Sequence, residues 1–235
     1  MNVCKSASVK NKVYGTKMAR KTKQQAKKTR QQIIDAAIKT FSERGVSATS
    51  LADIATAAGV TRGAIYWHFK NKTDLLSIVC KIPEDKIDAL EKEYQAKYPN
   101  NPLLALRSLL IFMLGMMMDD PQSHLLMEIF FHKCEFVGEM SSLAEELREA
   151  CISDYERIEK ALEACIQSGE LPYNLDLRRS AIMLKALMTG LLENWSFAPD
   201  SFNIQEQSAY LVDSFIDTLK YSLHVRNREE NFLTR

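Results

Sequence analysis

Glycine and proline are scarce in this chain, eight and six among 235 residues. Strand signals are almost absent as well, and a hydrophobic content of 46% places the chain among compact helical proteins, not disordered ones. The few glycines are scattered. No phosphate-cradling glycine loop, G-x-S-x-G elbow or H-E-x-x-H helix occurs, which sets an enzyme aside. The cysteines Cys4, Cys80, Cys134, Cys151 and Cys165 show neither a paired spacing nor a C-x-x-C motif, as expected of reduced thiols in a cytoplasm. His132 and Cys134 with Glu128 or Glu135 give only a weak H-x-C signal better read as packing, so no metal or cofactor is expected. The longest apolar run, Leu109 to Met118, is too short to span a bilayer, and the basic start of the chain has no apolar h-region. No repeat of fixed period points to a solenoid.

What is present is a charge separation. Residues 1–72 hold fifteen Lys and Arg against three acids, or +12, whereas residues 73–235 hold sixteen against twenty-seven, or −11, so the formal net charge of +1 conceals two opposite ends. A local excess of positive charge suits phosphate neutralisation, and an acidic remainder discourages nonspecific wrapping of nucleic acid.

The basic end contains SLADIATAAGVTRGAIYWHFKNK, from Ser50 to Lys72. Ser50 and Asp53 have the spacing of a capping box, so a helix is predicted to begin at Leu51. Gly59 stands where a left-handed residue ends that helix, and Thr61 offers a hydroxyl to cap a second one from Arg62 to about Phe69. Leu51, Ile54, Ala55, Val60, Ile65 and Phe69 fall on the faces that two crossed helices turn toward each other. Arg62, Gly63, Tyr66, Trp67 and His68 are left outside, an odd surface for water alone and a fitting one for DNA. An Arg near the start of a helix in the major groove can bond guanine N7 and O6, while Tyr, His and Lys reach phosphates. Arg62 is the expected base reader. The other DNA-facing candidates are Lys28, Ser50, Thr61, Gly63, Tyr66, Trp67, His68 and Lys72.

The run VTRGAIYWHFKNKTDLL resembles the signature of the TetR family, and MARKTKQQAKKTRQQIIDAAIKTFSERGVSATSL, EYQAKYP, LLMEIFFHKCEFVGEM and GLLENWSFAPDSF extend the likeness to an AcrR-like branch over nearly everything after Met18. The resemblance implies an all-α protein with an N-terminal three-helix DNA-binding domain and a C-terminal helical domain for ligand binding and dimerisation. It also implies a homodimeric repressor of a multidrug efflux pump operon, released from an inverted-repeat operator by hydrophobic or cationic drugs. Regulation of another operon, or activation, is the alternative, because operator position decides the sign.

About nine helices are expected. Residues 1–19 read as a disordered basic extension, either an arm that touches DNA or the product of an upstream start codon; residues 20–72 form the DNA-binding domain and 73–235 the second domain. The first helix runs from about Thr22 to Arg44, with Ile34, Ala37, Ile38 and Phe41 on one face and Gly45 as its stop. Asn71 with Asp74 suggests another capping box and a fourth helix, in which Pro83 predicts a kink or break. Further helices are expected near Pro102 to Met118, Pro121 to Phe136, Ser142 to Ser168, Asp176 to Trp195 and Ile204 to His224. Ala181 to Leu192 is apolar nearly all round, which calls for burial on two sides and suggests pairing of the last two helices across a dimer. Methionines crowded among aromatics suit a pocket for diverse apolar ligands. Met113, Met117 and Phe130 are candidates, as are Glu84 and Glu128, acids in apolar surroundings that need a cation or a donor. Glu128 is also placed to pair with His132 or Lys133. By resemblance the pocket is partly walled by the fourth helix, which adds Ile87 and makes Glu84 the preferred partner of a cationic ligand.

Overall fold

The computed structural model describes residues 7–135 and 138–227, with side chains from residue 23 onward apart from those of Met117 and Glu139. Nine α-helices are found among the described residues, and no strand. The chain divides into two units, Met1–Val79 and Cys80–Arg235. The cut falls later than the expected one after Lys72, because Leu75, Leu76 and Val79 in the first turns of the fourth helix are buried side chains of the first unit.

In the first unit α1 spans Ala7–Arg44, α2 Leu51–Ala57 and α3 Arg62–His68. The helix does not wait for Thr22. Residues 7–19, expected to be disordered, stand in α1, and residues 1–6 lie outside the described residues. Proline is absent from residues 7–19, and their Lys, Ala and Met lose little on entering a helix. Gly45, at φ 80°, ends α1 where the sequence predicts, and Ile33, Ile34, Ala37, Ile38 and Phe41 form its buried stripe.

The turn between α2 and α3 is built from the predicted parts. The Ser50 hydroxyl accepts from the Asp53 amide and donates to its carboxylate, and Asp53 accepts from the Ser50 amide, a reciprocal box that satisfies two otherwise orphaned N–H groups. Gly59 at φ 66° reverses the chain, and the Thr61 hydroxyl accepts from the Ala64 amide to start α3. Replacing Ser50 with Ala is expected to lower first-unit stability by about 0.5–2 kcal/mol, measured by urea unfolding. The box also sets a pH dependence. Hydrogen bonds from Ser50 hold the Asp53 carboxyl below its ordinary value of 3.8. Its contribution is therefore complete above that value and is lost as pH falls below it toward the folded value. Acid titration should show Ser50→Ala with a smaller loss of stability below pH 3.8 than the parent protein.

The fourth helix, α4, spans Lys72–Lys97 with Pro83 inside it, so the helix is not broken there. Proline has no amide to offer the carbonyl four residues back, that of Val79. The remaining helices are α5 (Pro102–Asp119), α6 (Pro121–Glu128), α7 (Ser141–Gln167), α8 (Leu177–Phe197) and α9 (Ile204–Tyr221). Instead of running on to Phe136, α6 ends at Glu128 in a π-helical turn, Ile129–Lys133, followed by extended backbone at Cys134. Its hydrogen bonds skip one residue more than those of an α-helix, so side chains after Glu128 turn away from the simple α-helical register.

The core of the second unit is assembled around α5. Leu110 and Leu114 share one buried cluster with Val212, Phe215, Ile216 and Leu219 of α9, Leu184 and Met188 of α8, and Leu162 and Cys165 of α7. Arg107 of α5 donates both Nε and Nη2 to the carboxylate of Asp213 on α9. Burial pushes the Cys80 and Cys165 thiols up to about 12, so both are protonated packing groups at neutral pH. No single helix among the described residues is long and apolar enough to cross a membrane.

Candidate nucleic-acid interface and ligand cavity

The helix-turn-helix turns its apolar positions inward as the sequence predicts: Leu51, Ile54, Ala55, Ile65 and Phe69 are buried, and Val60 is half-buried. Opposite them, α3 presents Arg62, Gly63, Tyr66 and Trp67, with Tyr66 59% and Trp67 73% exposed. Arg62 and Tyr66 are one helical turn apart, as are Gly63 and Trp67, which makes one continuous surface. A Cβ added at Gly63 meets nothing closer than the Thr61 hydroxyl at 4.0 Å. Packing therefore does not demand glycine within this helix, and its cost of about 0.5–1 kcal/mol relative to alanine goes with a backbone left open to close approach.

The remaining DNA-facing candidates divide by geometry. Lys28 is exposed on α1, and Ser50 and Thr61 are the N-caps of α2 and α3, with hydroxyls already committed to backbone. Lys72 differs from expectation. Its ammonium donates to the carbonyls of Val46 at 2.8 Å and Ser47 at 3.4 Å, tying the start of α4 to the turn after α1 instead of standing free for a phosphate. His68 is half-buried with its ring edge-on to Trp67 at 4.6 Å. Burial and the nearby Arg30 hold its imidazole below the ordinary value of 6.5, which favours the neutral form. Arg30 itself lies over the Phe69 ring, 5.3 Å from its centroid. Nothing in the sequence between Arg30 and Phe69 signals that contact.

The second unit holds three neighbouring chambers that share lining residues. The central one, about 180 Å³, is bounded by α4, α5, α7 and α8 and floored by Leu106, Leu109, Leu110, Met113, Met188 and Leu192. A smaller chamber of about 60 Å³, lined in part by Pro83, shares Ile87, Met113 and Leu192 with it. A third of about 150 Å³, walled by Tyr94 and Tyr98, shares Glu91, Leu106, Leu109 and Ala161. Of the expected ligand residues, Ile87 and Met113 line both the central and the smallest chamber. The side chain of Met117 lies outside those described.

Glu84, Glu128 and Phe130 do not line these chambers. Glu84 is half-buried, and burial together with repulsion from Asp154 raises its carboxyl above the ordinary value. Glu128 lies 3.5 Å from Lys133, one of the two pairings the sequence allows. Phe130 is exposed and meets the edge of Phe131, which lines the central chamber in its place. The π-helical turn moves the aromatic lining by this one residue.

The polar wall of the cavity is the part that sequence reading missed. Arg157 of α7 reaches Asp88 at 2.7 Å on α4 and Asp154 at 3.0 Å on α7, and Asp154 also accepts from Lys185 of α8. These partners are up to 69 residues apart. Only the three-residue spacing of Asp154 and Arg157 was available as a local signal. A second network joins α4 to α6, where Lys86 donates to Asp120 and Ser123.

A two-helix reading head capped at both starts, with exposed Arg and aromatics on its second helix and a separate all-helical unit in the same chain, defines a helix-turn-helix transcriptional regulator. Residues 33–78 match the profile described as bacterial regulatory proteins of the tetR family, and residues 101–221 that of the MAATS-type transcriptional repressor C-terminal region. The chain is 49% identical over 214 residues to the HTH-type transcriptional regulator AcrR of Shigella flexneri, covering 91% of this chain and all of that protein. It is 37% identical over 209 residues to TtgR of Pseudomonas putida, covering 89% and all of the relative. Among solved structures, NalD, the secondary repressor of the MexAB-OprM multidrug efflux pump in Pseudomonas aeruginosa, superposes with a TM-score of 0.72 at 28% identity, over 85% of this chain and 99% of that one. A SmeT–triclosan complex gives 0.73 at 27% identity, over 88% and 99%.

The chain belongs to the TetR family of bacterial transcriptional regulators. A regulatory and not an enzymatic role follows from that membership.

Proposed function

We propose that this protein is a homodimeric repressor of a multidrug efflux pump operon. In this reading it binds an inverted-repeat operator through α3 of each copy and leaves when a hydrophobic or cationic compound occupies the second-unit cavity. The observation that carries the reading is the outer face of α3, where two large aromatics stand exposed beside Arg62 in the unit that holds the chain's positive charge. Exposed aromatic surface of this size beside a guanidinium marks a binding face.

Ligand control is supported by the apolar cavity and by what the relatives are named for: efflux-pump repression by NalD and a bound triclosan in SmeT. Pairing of two copies is supported by Ile182 and Met183 on α8 and Tyr210 and Tyr221 on α9, large side chains left exposed on the last two helices. Operators lie in chromosomal DNA, so a cytoplasmic location goes with this reading. Release requires that the ligand prefer a conformation in which the two heads no longer match the operator half-sites, and the coupling is reciprocal.

Competition binding at fixed salt tests the DNA half. Arg62→Ala is expected to weaken operator binding by about 1–3 kcal/mol and to erase discrimination at one base position per half-site. Lys72→Ala is expected to lower first-unit stability while keeping base preference intact, because its ammonium caps carbonyls and reads nothing. Equal losses on cognate and scrambled DNA for Arg62→Ala would remove Arg62 from the reading role.

A further inference from the structure

Much of α1 stands outside the core of its own unit. Its buried stripe starts at Ile33, and from Lys23 to Gln32 no side chain is buried. The helix nevertheless begins at Ala7, 26 residues before that stripe, a reach of about 39 Å at 1.5 Å per residue. Residues 7–32 contain no Leu, Ile, Phe or Trp, so they supply no apolar stripe of their own.

The same residues hold nine Lys and Arg, and the first acid of the chain is Asp35. Exposed helix faces ordinarily mix the two signs and gain from pairs spaced four apart. Here Lys17 with Lys21, and Lys23 with Lys27, put like charges at that spacing, where they repel. The helical period also sets Lys10, Lys17, Lys21 and Lys28 at one register position, on the side opposite Ala37 of the buried stripe. A helix with a row of cations, no acids and no core is relieved by a line of anions. A membrane surface would require an apolar face beside the cations, which this composition lacks. The phosphates of a duplex require none. Further along, the same helix packs on α2 and α3, so the row is carried by the element that braces the reading head.

We propose that residues 7–32 of α1 form a second nucleic-acid site, independent of base sequence, that lies along the phosphates of the duplex flanking each half-site. Its reach slightly exceeds one turn of B-DNA, about 34 Å. The inference rests on the reading of the protein as an operator-binding dimer. It assigns α3 the choice of sequence and the start of α1 a share of the affinity that depends on DNA beyond the bases read.

Fluorescence anisotropy across a salt series tests it with the inverted-repeat DNA that the full chain protects, made either with about 15 base pairs beyond each half-site or trimmed to the repeat. The variant is Lys10→Gln, Lys17→Gln and Lys21→Gln together, which keeps length and helix propensity. On flanked DNA the variant should lower the slope of log affinity against log salt by about one for each lost phosphate contact, and by at least about two in the dimer. On trimmed DNA the slopes of parent and variant should agree within about 0.5, and the ratio of cognate to scrambled affinity should stay within about twofold. Equal slopes for parent and variant on flanked DNA, or a variant that loses base discrimination, would overturn the assignment. So would tighter binding of the parent to vesicles containing phosphatidylglycerol than to scrambled duplex at equal phosphate. A parent chain that prefers the repeat but ignores its flanks would remove this site and leave the repressor reading standing. A parent chain with no preference for the repeat would remove both.

Discussion

Raising salt from about 50 to about 200 mM is expected to weaken operator binding by about 10³–10⁵, if the dimer neutralises some 6–10 phosphates. The expectation comes from where the charge sits. The first 72 residues carry an excess of twelve positive charges, and Lys23, Lys27 and Lys28 stand exposed on α1. Each cation that meets a phosphate releases condensed counter-ions, and added salt opposes that release. The acidic second unit contributes nothing favourable to this term. Lys28→Ala should lower the slope of log affinity against log salt by about one if the side chain touches phosphate. Filter binding across a salt series checks both, and an affinity flat over that range would mean that the basic unit does not engage the DNA backbone.

The second large effect is one of architecture. Truncating Phe69 to Ala should cost the first unit about 3–5 kcal/mol, because the ring is 1% exposed, among the largest fully buried side chains, and covered by Arg30. That is a large share of the stability of a small domain, typically about 5–15 kcal/mol. Phe69 is buried away from the exposed face of α3, yet operator binding should be lost with it, since α3 has its C-cap at this residue. Trp67→Ala, two residues earlier and 73% exposed, should do the reverse, lowering affinity with a stability change within about 0.5 kcal/mol. Hydrogen exchange across α2 and α3 together with operator titration separates the two. Retention of operator binding within about twofold by Phe69→Ala would show that the buried ring does not hold the reading head together.

These paired expectations show how unevenly the sequence discloses its structure. The reading head is legible because its determinants are local: the Ser50–Asp53 box, the left-handed Gly59 and the Thr61 cap lie within twelve residues, each acting on backbone a few positions away. Burial followed from the same stretch, because two short helices of fixed spacing leave few choices for which faces meet. The cavity is legible only in its apolar share. Ile87 and Met113 are expected there and line it, but the polar lining of Asp154, Arg157 and Lys185, together with Asp88, which pairs with Arg157, is made by contacts that the chain brings together from distant positions. Phe131 displaced Phe130 through a single change of helical register after Glu128, a detail with no compositional mark. From the sequence Lys72 reads as one of the side chains that reach phosphates. Its actual partners, the carbonyls of Val46 and Ser47, lie across a turn.

The most direct test of the account is a footprint on intergenic DNA containing an inverted repeat, repeated at fixed salt with a panel of hydrophobic and cationic compounds. The account predicts protection of two half-sites on one face of the duplex, about one helical turn or a small multiple apart, competed by the repeat and not by scrambled sequence, and erased by compounds that bind the second unit. Protection that scrambled DNA removes equally well, or that no cavity-binding compound disturbs, would contradict it.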